Sequence, residues 1–378
     1  MKSMSRMLRT VSIGALAAAA FTIGSASYAA GPEMVAGPGA DPACFKPLNA
    51  DTKYFHWPAK AGPYRIALAN GFIANDWRVQ MIKVAKAYAS QQSADVKEFK
   101  VVSVGQDVAA QIAAVNNFID QGYDAIIVNA NNTSAFGSVV KKANDAGVVL
   151  LSFDNVIDDP MNIQINVDQV GIGRLAGEFL LKQTKADPAK FLFVRGPAGQ
   201  PVDNFRAEGF NAAIAASGRK VEVTEVEGKW NPGDAQKVTA DSIAAGGMFD
   251  GIYVEGGSQG AAQAMIDAGK FIVPMAGEDE NAFRMLCNAN HDKGMLCESG
   301  GTGPAQSAVT VKTAIAALKG EKIPQAIALP TSISYSPYEV GTQVFPDLPG
   351  SLFTGNNFAD CNIGFTVEEI SSQTGDNN

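Results

Sequence analysis

Three short clusters hold the side chains with chemistry to offer. Residues 70–78 supply the amides of Asn70 and Asn75, the carboxylate of Asp76, the indole of Trp77 and the guanidinium of Arg78. Asn129, Asn131 and Asn132 add three amides, and Asp154-Asn155 adds a carboxylate beside an amide. Amides and carboxylates present donors and acceptors that match vicinal hydroxyls, and an indole offers a flat apolar face to the C–H side of a polyhydroxylated ring. That is recognition chemistry rather than bond-breaking chemistry. Any one of these Asn or Asp residues also suits a plainer role, capping the helix that follows it. The clustering of amides and acids with Trp77 and Arg78 at a helix start points beyond capping.

Other motifs offer catalysis or cofactor binding and fit less well. Gly256-Gly257-Ser258-Gln259-Gly260 is a G-x-S-x-G between an apolar strand-like run and a helical pattern, the place of a hydrolase nucleophile. Of the two histidines only His291 follows it, with Asp279 as the available acid, and 33 residues are too few for the elements such a fold inserts there. A glycine-rich βα turn with Ser258 as helix cap explains the motif without strain. The run from Gly171 to Ala176 imitates a dinucleotide fingerprint but does not complete a βαβ unit, and small residues for close helix packing account for it. No P-loop, HExxH or EF-hand loop is present, and two histidines without a C-x-x-C leave metal binding poorly supplied. No cofactor is expected, and the chain is not expected to be an enzyme.

The clusters sit at the ends of strand-like runs. Apolar stretches at 65–69, 100–104, 125–128 and 148–153 alternate with helical periods at 76–90, 108–121 and 135–146. A second series follows, with helices at 171–182, 204–217, 233–245 and 259–268 and strands at 190–195, 221–226, 251–254 and 271–276. Runs such as Ala125-Ile126-Ile127-Val128 are apolar at every position, as parallel strands covered on both faces must be. The fold class is therefore α/β, with two doubly wound, Rossmann-like lobes and parallel central sheets. A further helix at 305–318 and strands around 327–335 remain to be placed. In open sheets of this kind ligands sit outside the carboxyl ends of the strands, where the three clusters lie.

Bulk properties set the compartment and exclude some partners. Lys2, Arg6 and Arg9 precede an apolar run over 11–24 and the small-x-small Ser27-Tyr28-Ala29, which reads as a cleavable signal peptide. The formal net charge is -8, which disfavours nucleic acid and anionic lipid. Four cysteines in an oxidising compartment imply disulfides. Cys287 and Cys297 flank a turn at 291–294 and are paired with each other, which leaves Cys44 with Cys361.

Taken in order, residues 66–78, Asn129 with Val139–Asn144 behind it, Phe153-Asp154, Asn166-Val167-Asp168 with Gly173 to Gly177, and Gly196 to Gly199 with Arg206 to Phe210 resemble the type I periplasmic sugar-binding proteins of ABC transporters, the ribose/galactofuranose-binding type. The likeness covers roughly 64–320. It implies two lobes joined by a multi-strand hinge near 166–168, 300–303 and 331. The expected layout is a signal peptide at 1–30 and an N-terminal extension at 31–62. One lobe comprises 63–166 with 302–330, the other 167–301 with 331–365, and a flexible tail occupies 366–378. It further implies a solute-binding protein in the periplasm, monomeric, that closes on a small sugar or polyol and presents it to the permease subunits of an ABC importer. Presentation to a chemoreceptor or kinase is the alternative within binding proteins, and a serine hydrolase using Ser258 the alternative outside them. Site residues carried over from the family fall on Asn75, Trp77, Asn129, Asp154, Asn204, Trp230 and Glu278, joined by Arg78 and Asn155 from the clusters. The Trp77-Arg78 pair is similar to that of the galactofuranose binders, and Asn204 stands where ribose binders have arginine.

Overall fold

The computed structural model describes residues 31–301 and 303–375; the expected signal peptide, 1–30, lies outside them. Two short strands, β1 (Glu33–Val35) and β2 (Tyr54–His56), belong to the N-terminal extension. The first lobe runs β3 (Tyr64–Asn70), α1 (Asp76–Gln91), β4 (Val96–Ser103), α2 (Val108–Asp120), β5 (Ala125–Asn129), α3 (Gly137–Asp145), β6 (Val149–Phe153) and β7 (Ile163–Asn166). The second begins with α4 (Gln169–Gln183), β8 (Ala189–Arg195), α5 (Pro201–Ser217), β9 (Val221–Glu227) and α6 (Pro232–Ala244). It continues through β10 (Gly251–Val254), α7 (Ser258–Ala268), β11 (Met275–Gly277), α8 (Asn281–Asn290) and β12 (Cys297–Gly301). The chain then returns to the first lobe as α9 (Gln306–Leu318), β13 (Ile323–Pro324) and β14 (Ala326–Ala328), and crosses again to β15 (Ser332–Tyr335). The final helix is α10 (Val367–Ser371).

Both six-stranded sheets have the same plan. Their orders are β14-β7-β6-β5-β3-β4 and β15-β12-β11-β10-β8-β9, so each lobe's first strand, β3 or β8, lies between its second and its third. All pairings in them are parallel except β12 with β15. Every residue of β5 and β6 is buried, and β3 feeds two cores. Ile66 and Leu68 face α1 and α9, while Ala67 and Ala69 face the α2–α3 side. Each fully buried Ile or Leu contributes roughly 1.5–3 kcal/mol, which makes these central strands the rigid base of the loops at their carboxyl ends. In the second lobe, α4 and α5 cross at near contact: a Cβ on Gly173 would meet the Arg206 backbone, and one on Gly209 the Val170 carbonyl. The small residues at 171–177 thus serve helix packing.

The C-terminal region departs from the sequence expectation. Residues 331–365 were placed wholly in the second lobe, but Phe353, Phe358, Cys361 and Ile363 belong to the first lobe's core. The segment lies on the second lobe as far as Leu352, whose carbonyl accepts the Asn281 N–H at 2.8 Å. It crosses at Phe353, which exchanges hydrogen bonds of 3.0 Å with the Gln80 side chain of α1. This is a fourth connection between the lobes. The described part of the expected tail is also ordered, because Thr366 and Glu369 form a capping box at the start of α10, Ile370 is buried, and α10 packs on α1. The Cys44–Cys361 bridge ties this segment to the N-terminal extension, and Cys287–Cys297 joins α8 to β12.

Candidate functional site

On the first lobe the site is built from the ends of β3, β5 and β6. Asn75 caps α1, its Oδ1 accepting the Arg78 N–H at 2.9 Å, and so fixes the turn that carries Trp77 and Arg78. Arg78 is 2% exposed, and its guanidinium stacks over Phe72 at 4.7 Å and donates to Asn70 Oδ1 at 3.0 Å. Burial lowers its pKa to about 10, with Asp154 working in the opposite direction. Asp154 adopts a left-handed backbone conformation, φ 59°, uncommon outside glycine but tolerated by Asp. Its Oδ2 accepts from Asn129 at 3.3 Å and Asn155 at 2.9 Å, and its Oδ1 from Gln306 of α9 at 3.4 Å. The carboxylate is held by neutral amides.

The second lobe presents charge held by charge. Arg206 of α5 donates to Glu278 Oε1 and to the Glu255 carbonyl, both at 2.7 Å, and to Gln169 Oε1 at 2.9 Å. Burial pushes the Glu278 carboxyl up to about 7 against the pull of Arg206. Trp230, in the β9–α6 loop, faces Phe72 of the opposite lobe with ring centroids 6.2 Å apart. The lobes also meet through Val202 N–H to Asn155 Oδ1 at 3.2 Å and Asn231 Nδ2 to the Ala74 carbonyl at 3.1 Å.

Of the nine residues expected at the site, Asn75, Trp77, Arg78, Asp154, Trp230 and Glu278 line one interlobe cavity. Asn129 and Asn155 stand behind it and orient Asp154. Asn204 does not reach it: this residue is on the exposed side of α5, and Val202 and Arg206 line the cavity in its place. Arg206 was visible in the sequence beside the motif, but only the phase of α5 tells which residue faces inward. In this closed conformation the cavity is about 30 Å³, against roughly 300–1,000 Å³ for ordinary ligand pockets, so the lobes must part to admit a guest.

Two other features do not form a competing site. Ser258 is fully buried at the start of α7, its Oγ accepting the Glu278 N–H at 3.0 Å, and no described hydrogen bond joins it to a histidine. The nucleophile–base contact that a serine hydrolase requires is missing. A larger hollow of about 500 Å³ lies by the hinge, but the charged side chains among the described residues that line it, Lys46 and Asp360, pair with each other at 2.6 Å.

The family model for the periplasmic binding protein domain matches residues 66–322. The chain is 34% identical over 178 residues to the D-ribose/D-allose-binding protein of Pseudomonas aeruginosa, covering 44% of this chain and 54% of that protein. It is 28% identical over 160 residues to a galactofuranose-binding protein of Escherichia coli, covering 41% and 49%. The chain thus matches about half the length of these curated relatives. Its fold is similar to the crystal structure of an ABC transporter solute binding protein from Thermobispora bispora, with a TM-score of 0.66, 28% identity, and coverage of 71% of this chain and 84% of that one. With most of its length matched by one family model and both lobes built on that family's plan, the chain belongs to the periplasmic binding protein domain family.

Proposed function

We propose that this chain is the solute-binding component of an ABC importer, holding a small neutral sugar or polyol between its lobes in the periplasm and presenting it to a membrane permease. The carrying observation is that Trp77 and Trp230, from opposite lobes, line one cavity with two guanidiniums, Arg78 and Arg206, and two carboxyls, Asp154 and Glu278. The formal charges balance, the planar groups suit vicinal hydroxyls, and the indoles suit a ring's C–H faces. Relatives that bind ribose, allose and galactofuranose support the same ligand class. All four cysteines are bridged, which agrees with an exported protein.

The guest first meets the amide-held face of the first lobe, and closure then brings over Trp230, Arg206 and Glu278. Contacts such as Val202 N–H to Asn155 exist only when the lobes meet, so ligand and closed form stabilise each other. A permease that reads both lobe surfaces in one relative orientation would select the closed form. Thermal unfolding in the presence of D-ribose, D-allose, galactofuranose, myo-inositol and glycerol tests the reading, since a ligand at a hundred times its Kd adds about 2.7 kcal/mol of stability. At least one of these should raise the melting temperature by several degrees. A flat response across all of them at millimolar concentration would overturn the proposal.

A further inference from the structure

We propose that Glu255 is a positioning residue for the ligand-facing indole of Trp230, acting as a neutral carboxylic acid whose ionisation loosens the second-lobe wall of the cleft. The inference rests on the reading of Trp230 as part of the binding site.

Glu255 follows β10 and is fully buried. Its Oε2 accepts the Gly196 N–H at 3.0 Å and lies 3.4 Å from Trp230 Nε1, while its Oε1 has no hydrogen-bond partner. Asp203 Oδ1 accepts the same Gly196 N–H, also at 3.0 Å, so two carboxyl groups converge on one amide. They are not equivalent. Asp203 is gripped by Arg195 through Nε at 2.9 Å and NH2 at 2.7 Å, a bidentate, charge-assisted pair. The other nearby cation, Arg206, directs its NH1 to the Glu255 backbone carbonyl and to Glu278. Glu255 therefore has no cation bonded to its carboxyl, and a buried carboxylate in that position is costly enough to retain its proton. The titratable and charged groups facing it are Asp203 and Arg206 from α5, Arg195 at the end of β8 and Tyr253 from β10. Burial first, then the charge of Asp203, hold its pKa well above the ordinary carboxylate range, with Arg206 opposing.

The indole it touches has a single slot. Trp230 has a left-handed backbone, φ 53°, and a Cβ on Gly196 or on Gly256 would strike its ring. Both glycines are needed for the chain to pass so close. Loss of the Glu255 proton sets two like charges against one amide, and repulsion from Asp203 drives the Glu255 carboxylate away from the shared amide and so alters its 3.4 Å contact with the indole.

The test is the indole N–H resonance of Trp230 in the ¹H–¹⁵N spectrum of the whole protein, identified among the three tryptophans by Trp230→Phe. In ligand-free protein it should shift as pH is raised beyond the ordinary carboxylate range, and the shift should be largely lost in Glu255→Gln, which is neutral at every pH. Titration calorimetry with D-allose should show affinity falling about tenfold between pH 6 and 9 in the parent and by a smaller factor in Glu255→Gln, where Glu278 still titrates. Glu255→Leu, checked by circular dichroism for native fold, should bind about tenfold more weakly throughout. A Trp230 resonance that is still up to pH 9 in the parent, or that titrates equally in Glu255→Gln, overturns the assignment. If D-allose shifts no indole resonance while the pH titration of Trp230 persists, the positioning role stands and the sugar reading is what fails for that ligand.

Discussion

On the first lobe the central carboxylate, Asp154, is held by the amides of Asn129, Asn155 and Gln306, whereas on the second lobe Glu278 is held by Arg206 and Glu255 sits beside a second carboxyl. Amides do not titrate near neutrality, so the partners that orient Asp154 keep their state there. Buried acids keep theirs only while protons and ion pairs stay in place. One cleft therefore joins a face whose carboxylate is oriented by neutral amides to a face whose carboxyl is paired with a cation. On the proposed reading the first receives the guest in the open form, and the second depends on its own acids being in the right state when the lobes meet.

The comparison breaks most plainly at Asp154. Asp154→Ala removes the group that three amides orient and should cost about 2 kcal/mol or more, a loss of about 30-fold or greater in sugar affinity by calorimetry. Full affinity in that variant would show that the first face is not the docking face. The strap that joins the faces is tested through stability rather than affinity. Phe353→Ala empties a buried position in the first lobe's core and should destabilise by about 3–5 kcal/mol, with a lower melting temperature and a larger ligand-free radius by X-ray scattering. Unchanged melting would mean that the fourth crossing carries no load.

A pH series sharpens the contrast. Glu278 and Glu280 are raised by burial to about 7 and about 8, from an ordinary value of 4.5. A raised carboxyl stabilises the fold at low pH and loses that contribution as pH climbs from its unfolded value through its folded one. Melting temperature should therefore fall by several degrees between pH 5 and pH 9, and Glu280→Gln should flatten the decline. A melting temperature that rises over this range would contradict the assignment of buried neutral acids to the second lobe. The smallest effect belongs to Asn204→Ala, an exposed residue that should leave affinity within twofold of the parent.

The first face was legible in the sequence because β3, β5 and β6 are continuous apolar runs and the polar clusters follow them directly. The second face was less so. Residues 204 and 206 are separated by about 200° around a helix, and the α4–α5 contact rather than any local pattern turns Arg206 inward. Nothing in the composition of Glu255 marks it as buried and uncharged, since that follows from Asp203 already having claimed Arg195. Strand β12 was missed because Cys297-Glu298-Ser299-Gly300-Gly301 reads as a loop, yet every residue in it is buried between β11 and β15. The strand expected at 271–276 shrinks to Met275–Gly277, where pairing with β10 and β12 begins. The pairing of Cys44 with Cys361 was read correctly, and it already implied that the segment placed in the second lobe must come back across.

The claim beneath all of this is that two faces close on a hydroxyl-rich guest. Small-angle X-ray scattering of the protein before and after addition of the sugar that raises its melting temperature measures that closure without assigning a role to any single residue. The account predicts a smaller radius of gyration with the sugar than without it; identical radii, with the sugar demonstrably bound, would contradict it.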